Sequence, residues 1–389
     1  MAAARRNLSL AALMLALVAA AALALPSAMW VCLVATLLAV AGVVLFRGNG
    51  WRTGSLLAAA VALSFALLDA FAGLLTPTAY GAGLVRKVEP QWWPQPHPVL
   101  GFRPKPDSTA VATATFDGQP VYNTTYHIDS EGGRATPKAE PGADLYLFLG
   151  DSFMFGQGIK DDETLPWLFA EMGDGKVRTL NLSAPGNAPN HLVRAFEAGL
   201  LDRYAGERVK AVVVWIIPAQ LARTTGDGSW LGSSPRYELV DGKLVHTGSF
   251  TEYRFSHPIA GLKYYLGELF PFIASIGEKQ RQDEQLKLFV AMMARLQQYA
   301  REKFNAPLVV VYSWPDERVR GLHGHSEIDQ SMLVDVIVRL RKLGIELVRV
   351  DDLTSGQPTD KILIPHDGHP TRVTNELIAG ELKKRLIKP

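Results

Sequence analysis

Two stretches carry the residues best suited to nucleophilic chemistry. Residues 146–162, YLFLGDSFMFGQGIKDD, place Ser152 directly after an apolar run and ahead of a glycine-spaced turn; residues 362–382, ILIPHDGHPTRVTNELIAGEL, bring Asp367 and His369 together. A serine hydroxyl is a weak nucleophile at neutral pH and needs a base within hydrogen-bond reach, itself oriented by a carboxylate. His369 can take the Ser152 proton on one ring nitrogen while Asp367 holds the other. His366 is a rival base, but it precedes the acid and reads as a loop contact. The G-x-S-x-G elbow is absent, although a serine on a strand-to-helix turn has the same placement.

Elements of a definite kind must position these groups. DLYLFLG, RTLNLS, VKAVVVWII, APLVVVYSW and IELVRV read as buried strands, and residues 164–172, 190–204, 284–304, 328–343 and 371–386 as helices between and after them. Continuously apolar strands alternating with helices imply a parallel sheet covered on both faces. Residues 143–389 therefore read as one three-layer α/β domain. In such a sheet the crevice lies beyond the carboxyl ends of the strands. Ser152 falls there, and the loop before the last helix can face it. The stripes Phe289, Met292, Met293, Leu296 and Val373, Leu377, Ile378, Leu382 are core contacts of two helices. Residues 224–281 break the rhythm and read as an insertion with a hairpin at Asp241-Gly242, serving as a lid, a substrate wall or a plain surface excursion.

Ahead of this domain, residues 77–142 form a linker rich in Pro, Gly and Trp and a small β extension, with a hairpin at Asp117-Gly118. Trp92 and Trp93 suit either a membrane interface or a linker docked on the domain. Residues 1–76 form a membrane anchor of three apolar runs, at about 8–25, 28–46 and 55–75, each near the roughly 20 residues a spanning helix needs. Arg5, Arg6, Arg47 and Arg52 put the N-terminus and the second link on the cytoplasmic side, so the large C-terminal part lies outside. Reading the first run as a cleaved signal peptide leaves two spans and the same orientation. Asp69, toward the outer end of the third run, reads as a carboxylate reaching the interface or a neighbouring helix. The expected location is the inner (plasma) membrane, multi-pass, with membrane lipid around the anchor and the α/β domain periplasmic or extracellular.

Composition excludes several classes. The 40 Lys+Arg balance 38 Asp+Glu, which leaves no strong field for nucleic acid. The single cysteine, Cys32, lies in an apolar run, and the nine histidines lack H-E-x-x-H or comparable spacing, so no metal is expected. With no G-x-G-x-x-G and no P-loop, no cofactor is expected either. Asn123-Thr-Thr and Asn181-Leu-Ser match the short glycosylation pattern.

Gly150-Asp151-Ser152 with the following GDSFMFGQGIKDDETLPWLF, and the later Asp367-Gly368-His369-Pro370, resemble the first and last motif blocks of the SGNH/GDSL hydrolase family, here as a bacterial, membrane-anchored member. The resemblance covers residues 143–389 apart from 224–281. It implies a flavodoxin-like α/β/α domain that cleaves esters or transfers acyl groups to carbohydrate, with Ser152 as nucleophile, His369 as base and Asp367 as its acid. It also implies oxyanion donors: the N–H of Ser152, Gly186 from NLSAPGNAPNH, and an asparagine. The asparagine block has no counterpart in VVVWIIPAQLART, which leaves Gln220, Asn187 or Asn190 for that position. The family more often sets two residues between acid and base, where only Gly368 intervenes here. The expected activity is a membrane-anchored serine ester hydrolase acting on acyl or acetyl esters. The alternatives are an O-acyltransferase acting on an envelope or exported polysaccharide, and a silent domain that binds glycan or a partner protein.

Overall fold

The computed structural model describes residues 2–24, 28–75, 83–91, 93, 95–270, 273, 277–313 and 330–387. By its contacts the chain divides into two units, Met1–Thr78 with Arg254–Glu278, and Ala79–Tyr253 with Lys279–Pro389.

The first unit opens with helices α1 (Ala2–Ala24), α2 (Ala28–Leu45) and α3 (Asn49–Leu75). Two apolar stretches, Ala3–Ala21 and Asn49–Leu68, are long enough to cross a membrane, and the stretch in α2, Met29–Leu45, is shorter. Asn7 ties the start of α1 to the α2–α3 link: its Nδ2 donates to the Arg47 carbonyl at 2.8 Å, and its Oδ1 accepts from the Arg47 N–H at 3.2 Å. The Asp69 side chain and Trp92 lie outside the described residues.

The second unit begins with β1 (Leu84–Glu89), a short pair β2 (Gln95–His97) and β3 (Gly101–Arg103), and a long hairpin of β4 (Ser108–Phe116) and β5 (Gln119–Ile128). The hairpin turns at Asp117-Gly118, with both residues at positive φ (47° and 79°), the conformation a two-residue primed turn requires. β1 pairs antiparallel with β4, so the stretch read as linker contributes a third strand to the small sheet. Trp93 packs edge-on against Phe102, with ring centroids 5.6 Å apart, and so docks on the domain.

The main sheet comprises β6 (Asp144–Leu149), β7 (Val177–Asn181), β8 (Val209–Ile216), β11 (Leu308–Tyr312) and β12 (Glu346–Arg349), all parallel, in the spatial order β7-β6-β8-β11-β12. Numbered along this sheet alone, the order is the flavodoxin-like 2-1-3-4-5, whose switch point lies between β6 and β8. Side chains alternate between two cores. Leu145, Leu147 and Leu149 face one, with Val212, Val214 and Val310; Tyr146 and Phe148 face the other, with Val213, Trp215 and Val311.

α6 (Pro189–Glu197), α10 (Glu278–Phe304) and α11 (Gln330–Lys342) cover the first face, and α5 (Leu165–Glu171) and α12 (Arg372–Leu386) the second. Phe289, Met292, Met293 and Leu296 are fully buried as their stripe requires. On α12 the inward face is Thr374, Asn375, Ile378, Ala379 and Leu382, so Val373 and Leu377 of the expected stripe sit at its margin. Each buried Leu or Phe in these layers contributes about 1.5–3 kcal/mol, which makes the sheet a rigid base for the loops at its edge.

The insertion is divided. The hairpin of β9 (Pro235–Val240) and β10 (Lys243–Ser249) stays with the α/β unit, while α9 (Pro258–Leu269), beyond a short α8 (Phe250–Ser256), groups with the N-terminal helices. Asn181 is buried and donates to the Met154 carbonyl at 3.1 Å, so its glycosylation pattern is inaccessible in the folded chain.

Candidate active site

β6 delivers Ser152 to the switch point. The next turn of chain is the single-turn helix α4 (Ser152–Phe155), capped by Asp151, whose Oδ1 accepts the Phe153 N–H at 3.1 Å. Asp151 is fully buried, and its Oδ2 receives Arg223 Nη1 at 2.8 Å. The same Arg223 nitrogen donates to the Asn187 carbonyl at 3.0 Å. Arg223 ends α7 (Ala219–Arg223), after β8, so one guanidinium ties together the loops that follow β6, β7 and β8.

Behind the Ser152 turn, the buried Arg134 donates to the carbonyls of Phe155, Gly156 and Ile159 and to the Asp161 carboxylate. Its own main chain bridges to Asn181, which joins the small sheet to β7. This Arg holds residues 155–161 from inside, where an unpaired carbonyl would be costly.

The second half of the site comes from the loop before α12. Ile364 N–H donates to the His369 carbonyl and Gly368 N–H to the Ile364 carbonyl, both at 2.8 Å. Gly368 occupies the left-handed region at φ 80°. That turn puts Asp367 and His369 on the same side of the loop. One intervening residue is therefore enough to bring the carboxylate and the imidazole into contact.

His369 Nε2 lies 2.8 Å from Ser152 Oγ, and His369 Nδ1 bonds Asp367 Oδ1. The charged acceptor fixes the neutral ring as the Nδ1–H tautomer, which leaves Nε2 free to accept the serine proton. The other carboxylate oxygen, Asp367 Oδ2, accepts Arg86 Nε from β1 at 2.8 Å. Burial pushes the Asp367 pKa up, but His369 and Arg86 outweigh it and hold the carboxyl well below the ordinary range. Ser152 and His369 each retain 8% exposure, enough to meet a reactant at a narrow opening. His366 is not part of this chain of contacts; its ring stacks on Phe116 at 3.8 Å.

Candidate oxyanion donors adjoin the serine. The Ala184 N–H donates to the Gly150 carbonyl at 3.3 Å, which sets the turn 184–187 beside residues 150–152. Among the described residues the main-chain N–H groups of Ser152 and Gly186 have no acceptor. Gly186 is at φ 82°, and a Cβ there would lie 2.6 Å from Trp230 Nε1. Gln220 is turned away from this duty, because its Nε2 donates to the Trp215 carbonyl at 3.2 Å. Asn190 donates to the Pro235 carbonyl at 2.7 Å and so anchors the insertion hairpin. Asn187 differs from both in its donor: among the described residues its Nδ2 makes no hydrogen bond, while its main-chain carbonyl accepts from Arg223.

The chain is similar to solved structures described as esterases and lipolytic proteins of the G-D-S-L kind. Over 64% of its length it is similar to 98% of the lipase/acylhydrolase from Enterococcus faecalis, with 16% identity and a TM-score of 0.36. Over 63% it is similar to the whole of the psychrotrophic esterase EstA from Pseudoalteromonas, with 13% identity and a TM-score of 0.35. Over 64% it is similar to the whole of a lipolytic protein of the G-D-S-L family from Veillonella parvula, with 10% identity and a TM-score of 0.35. No protein-family model and no curated protein matches the sequence.

Arg86, Arg223 and Trp230 are absent from the residues that sequence patterns single out. Arg223 had a weak signal, as a cation in the loop after a buried strand at the switch point. Arg86, in the polar strand LVRKVE, had none.

Proposed function

We propose that this chain is a membrane-anchored serine ester hydrolase that cleaves acyl or acetyl esters through an acyl-Ser152 intermediate. The observation that carries the reading is the continuous relay from Ser152 Oγ to His369 Nε2, at 2.8 Å, and from His369 Nδ1 to the buried Asp367.

In this mechanism Ser152 Oγ attacks the ester carbonyl carbon while its proton passes to His369 Nε2. The C–O bond to the alcohol then breaks, and His369 returns the proton to the departing oxygen. Water, deprotonated by the same nitrogen, attacks the acyl-serine and releases the acid. The negative charge on the carbonyl oxygen is met by the N–H groups of Ser152 and Gly186 and by the Asn187 amide. Each well-placed donor of this kind contributes about 10²–10³ in kcat.

The anchor is proposed to hold the α/β domain on the periplasmic or extracellular side. Supporting this, Asn7 brings the start of α1, with Arg5 and Arg6, to the same end of the helical unit as Arg47. Arg52 donates to the Phe46 carbonyl at 3.0 Å, which places a fourth cation there. Clustered cations of this kind favour the cytoplasmic face.

A second reading, transfer of the acyl group to a sugar hydroxyl of an envelope polysaccharide, is favoured by Trp230. Its indole touches Gly186 yet is 41% exposed, which leaves an aromatic face beside the acyl site for a sugar ring. The test uses the full chain in detergent with an acetyl ester, with and without oligosaccharide, alongside a fluorophosphonate label. Hydrolysis and labelling confined to Ser152 are expected, with acetylated sugar as the sign of transfer. Wild-type turnover by Ser152→Ala would sink both readings, whereas a wild type with neither turnover nor fluorophosphonate labelling would leave a silent binding domain.

A further inference from the structure

We propose that Arg86 is a positioning residue of the Ser152–His369–Asp367 centre, holding the Asp367 carboxylate in the one orientation that keeps the His369 ring aimed at Ser152. The inference rests on the reading of that centre as an acyl-transfer site, and it makes the small N-terminal sheet part of the catalytic apparatus.

A carboxylate that orients a histidine through one oxygen can still rotate about its Cβ–Cγ bond unless the second oxygen is also held. His369 takes Oδ1 of Asp367, and Arg86 Nε takes Oδ2 at 2.8 Å. The Asp367 side chain is wholly buried while Arg86 is 43% exposed, so the guanidinium reaches in from the surface to a carboxylate closed off from bulk solvent. Leaving Oδ2 unpaired in that setting would carry the full desolvation cost of a buried charge.

The placement of Arg86 is fixed by the sheet. Register sets Arg86 opposite Ala114 and Ala114 opposite Tyr122, so the three lie in one row across β1, β4 and β5. Ala114 is buried and small, which leaves room above it for the long arginine side chain. Tyr122 closes the far side of the row: its ring packs at Gly158, where an added Cβ would lie 3.0 Å from Tyr122 Cε1 and 2.7 Å from Ile364 Cδ1. The row therefore meets the nucleophile loop and the acid–base loop together.

The charge of Arg86 has its own consequence. When His369 takes the Ser152 proton it becomes a cation, which Asp367 stabilises and Arg86 opposes. Removing Arg86 leaves the Asp367 charge uncompensated, which favours the cationic form of the relay and moves the loss of activity on acidification to higher pH. The other titratable groups facing this pair are Tyr122 and Tyr126 of β5, both kept protonated by burial. His366 of the same loop is turned onto Phe116.

The experiment follows p-nitrophenyl acetate turnover by the full chain in detergent, from about pH 5 to about pH 9, for wild type, Arg86→Gln, Arg86→Lys and Ser152→Ala. Arg86→Gln should lower kcat by roughly ten-fold or more with little change in KM, the scale seen when a residue orienting a functional histidine is removed. Its acidic limb of kcat/KM should move up by about one pH unit. Arg86→Lys keeps the charge but not the fixed fork, so its limb should stay in place while kcat falls several-fold. A folded Arg86→Gln with wild-type kcat, or with reduced kcat and an unmoved limb, overturns the proposal. Should Arg86→Gln fail to fold, Arg86→Lys decides, with unchanged kcat overturning the proposal and reduced kcat with an unmoved limb supporting it. An inactive Ser152→Ala beside a wild-type-like Arg86→Gln removes this inference alone, whereas an active Ser152→Ala removes the acyl-transfer reading and this inference together.

Discussion

His191 and His369 share a residue type and are held in opposite ways. His369 touches a carboxylate, whereas His191 is buried with Nδ1 accepting the Ala188 N–H at 3.1 Å and Nε2 at 3.0 Å from Ser234 Oγ. Because Nδ1 accepts, Nε2 carries the proton and donates to Ser234. Burial is the main cause that brings the His191 pKa down to about 3. Between there and the ordinary value near 6.5, the unfolded chain binds a proton that the folded chain refuses, so stability falls as pH falls through this window. From pH 7 to pH 5 the loss is about 2 kcal/mol from this group alone. Urea unfolding at both pH values should show that difference between wild type and His191→Gln; equal pH slopes would contradict it. Ser152, Asp367 and His369 were legible in the sequence because their chemistry is local to two short motifs. Arg86 was not, since its partner lies 281 positions away and its strand carries no motif. The surroundings of Gln220 were illegible for the same kind of reason: the strand-end carbonyl of Trp215 accepts from its amide, and nothing in PAQLART signals that.

At the scale of elements, the five strands of the main sheet were readable because burial on both faces makes each a continuous apolar run. β1 was not, because most of its residues face water and LVRKVE carries little apolar signal. The expected helix 190–204 stops at Glu197, where Ala198 caps it and Gly199 turns left-handed at φ 71°. The loop before α12 is the element on which the site depends most. Its turn at Gly368 sits at φ 80°, a region where a side chain costs about 1–2 kcal/mol. Gly368→Ala must either bear that strain or relax the turn, and relaxation separates Asp367 from His369. Turnover of an acetyl ester should therefore fall together with a drop in the unfolding midpoint. Wild-type values for both would show that the loop does not need its left-handed residue.

For the whole molecule, the division of the chain joins distant segments: residues 254–278 belong with the N-terminal helices although they leave and re-enter the sequence of the α/β unit. The aromatic pair Phe65 of α3 and Phe270, with centroids 4.9 Å apart, is one of the contacts behind that grouping. No pattern in the sequence announced it, because aromatic residues near 270 are equally suited to a lid, and a contact across about two hundred residues leaves no local periodicity. A chain that starts at Ala79 keeps every residue of the proposed catalytic relay but loses the partners of this segment. Ile259 is already 86% exposed, and stripping α3 away adds Phe270 to the uncovered apolar surface. An apolar helix without a partner frays and becomes accessible to protease. Limited trypsin digestion should therefore cut the truncated chain at the exposed Lys263 in α9 sooner than the full chain in detergent. Equal cleavage rates would mean that residues 254–278 hold their structure without the N-terminal helices, and the grouping would then have no energetic content.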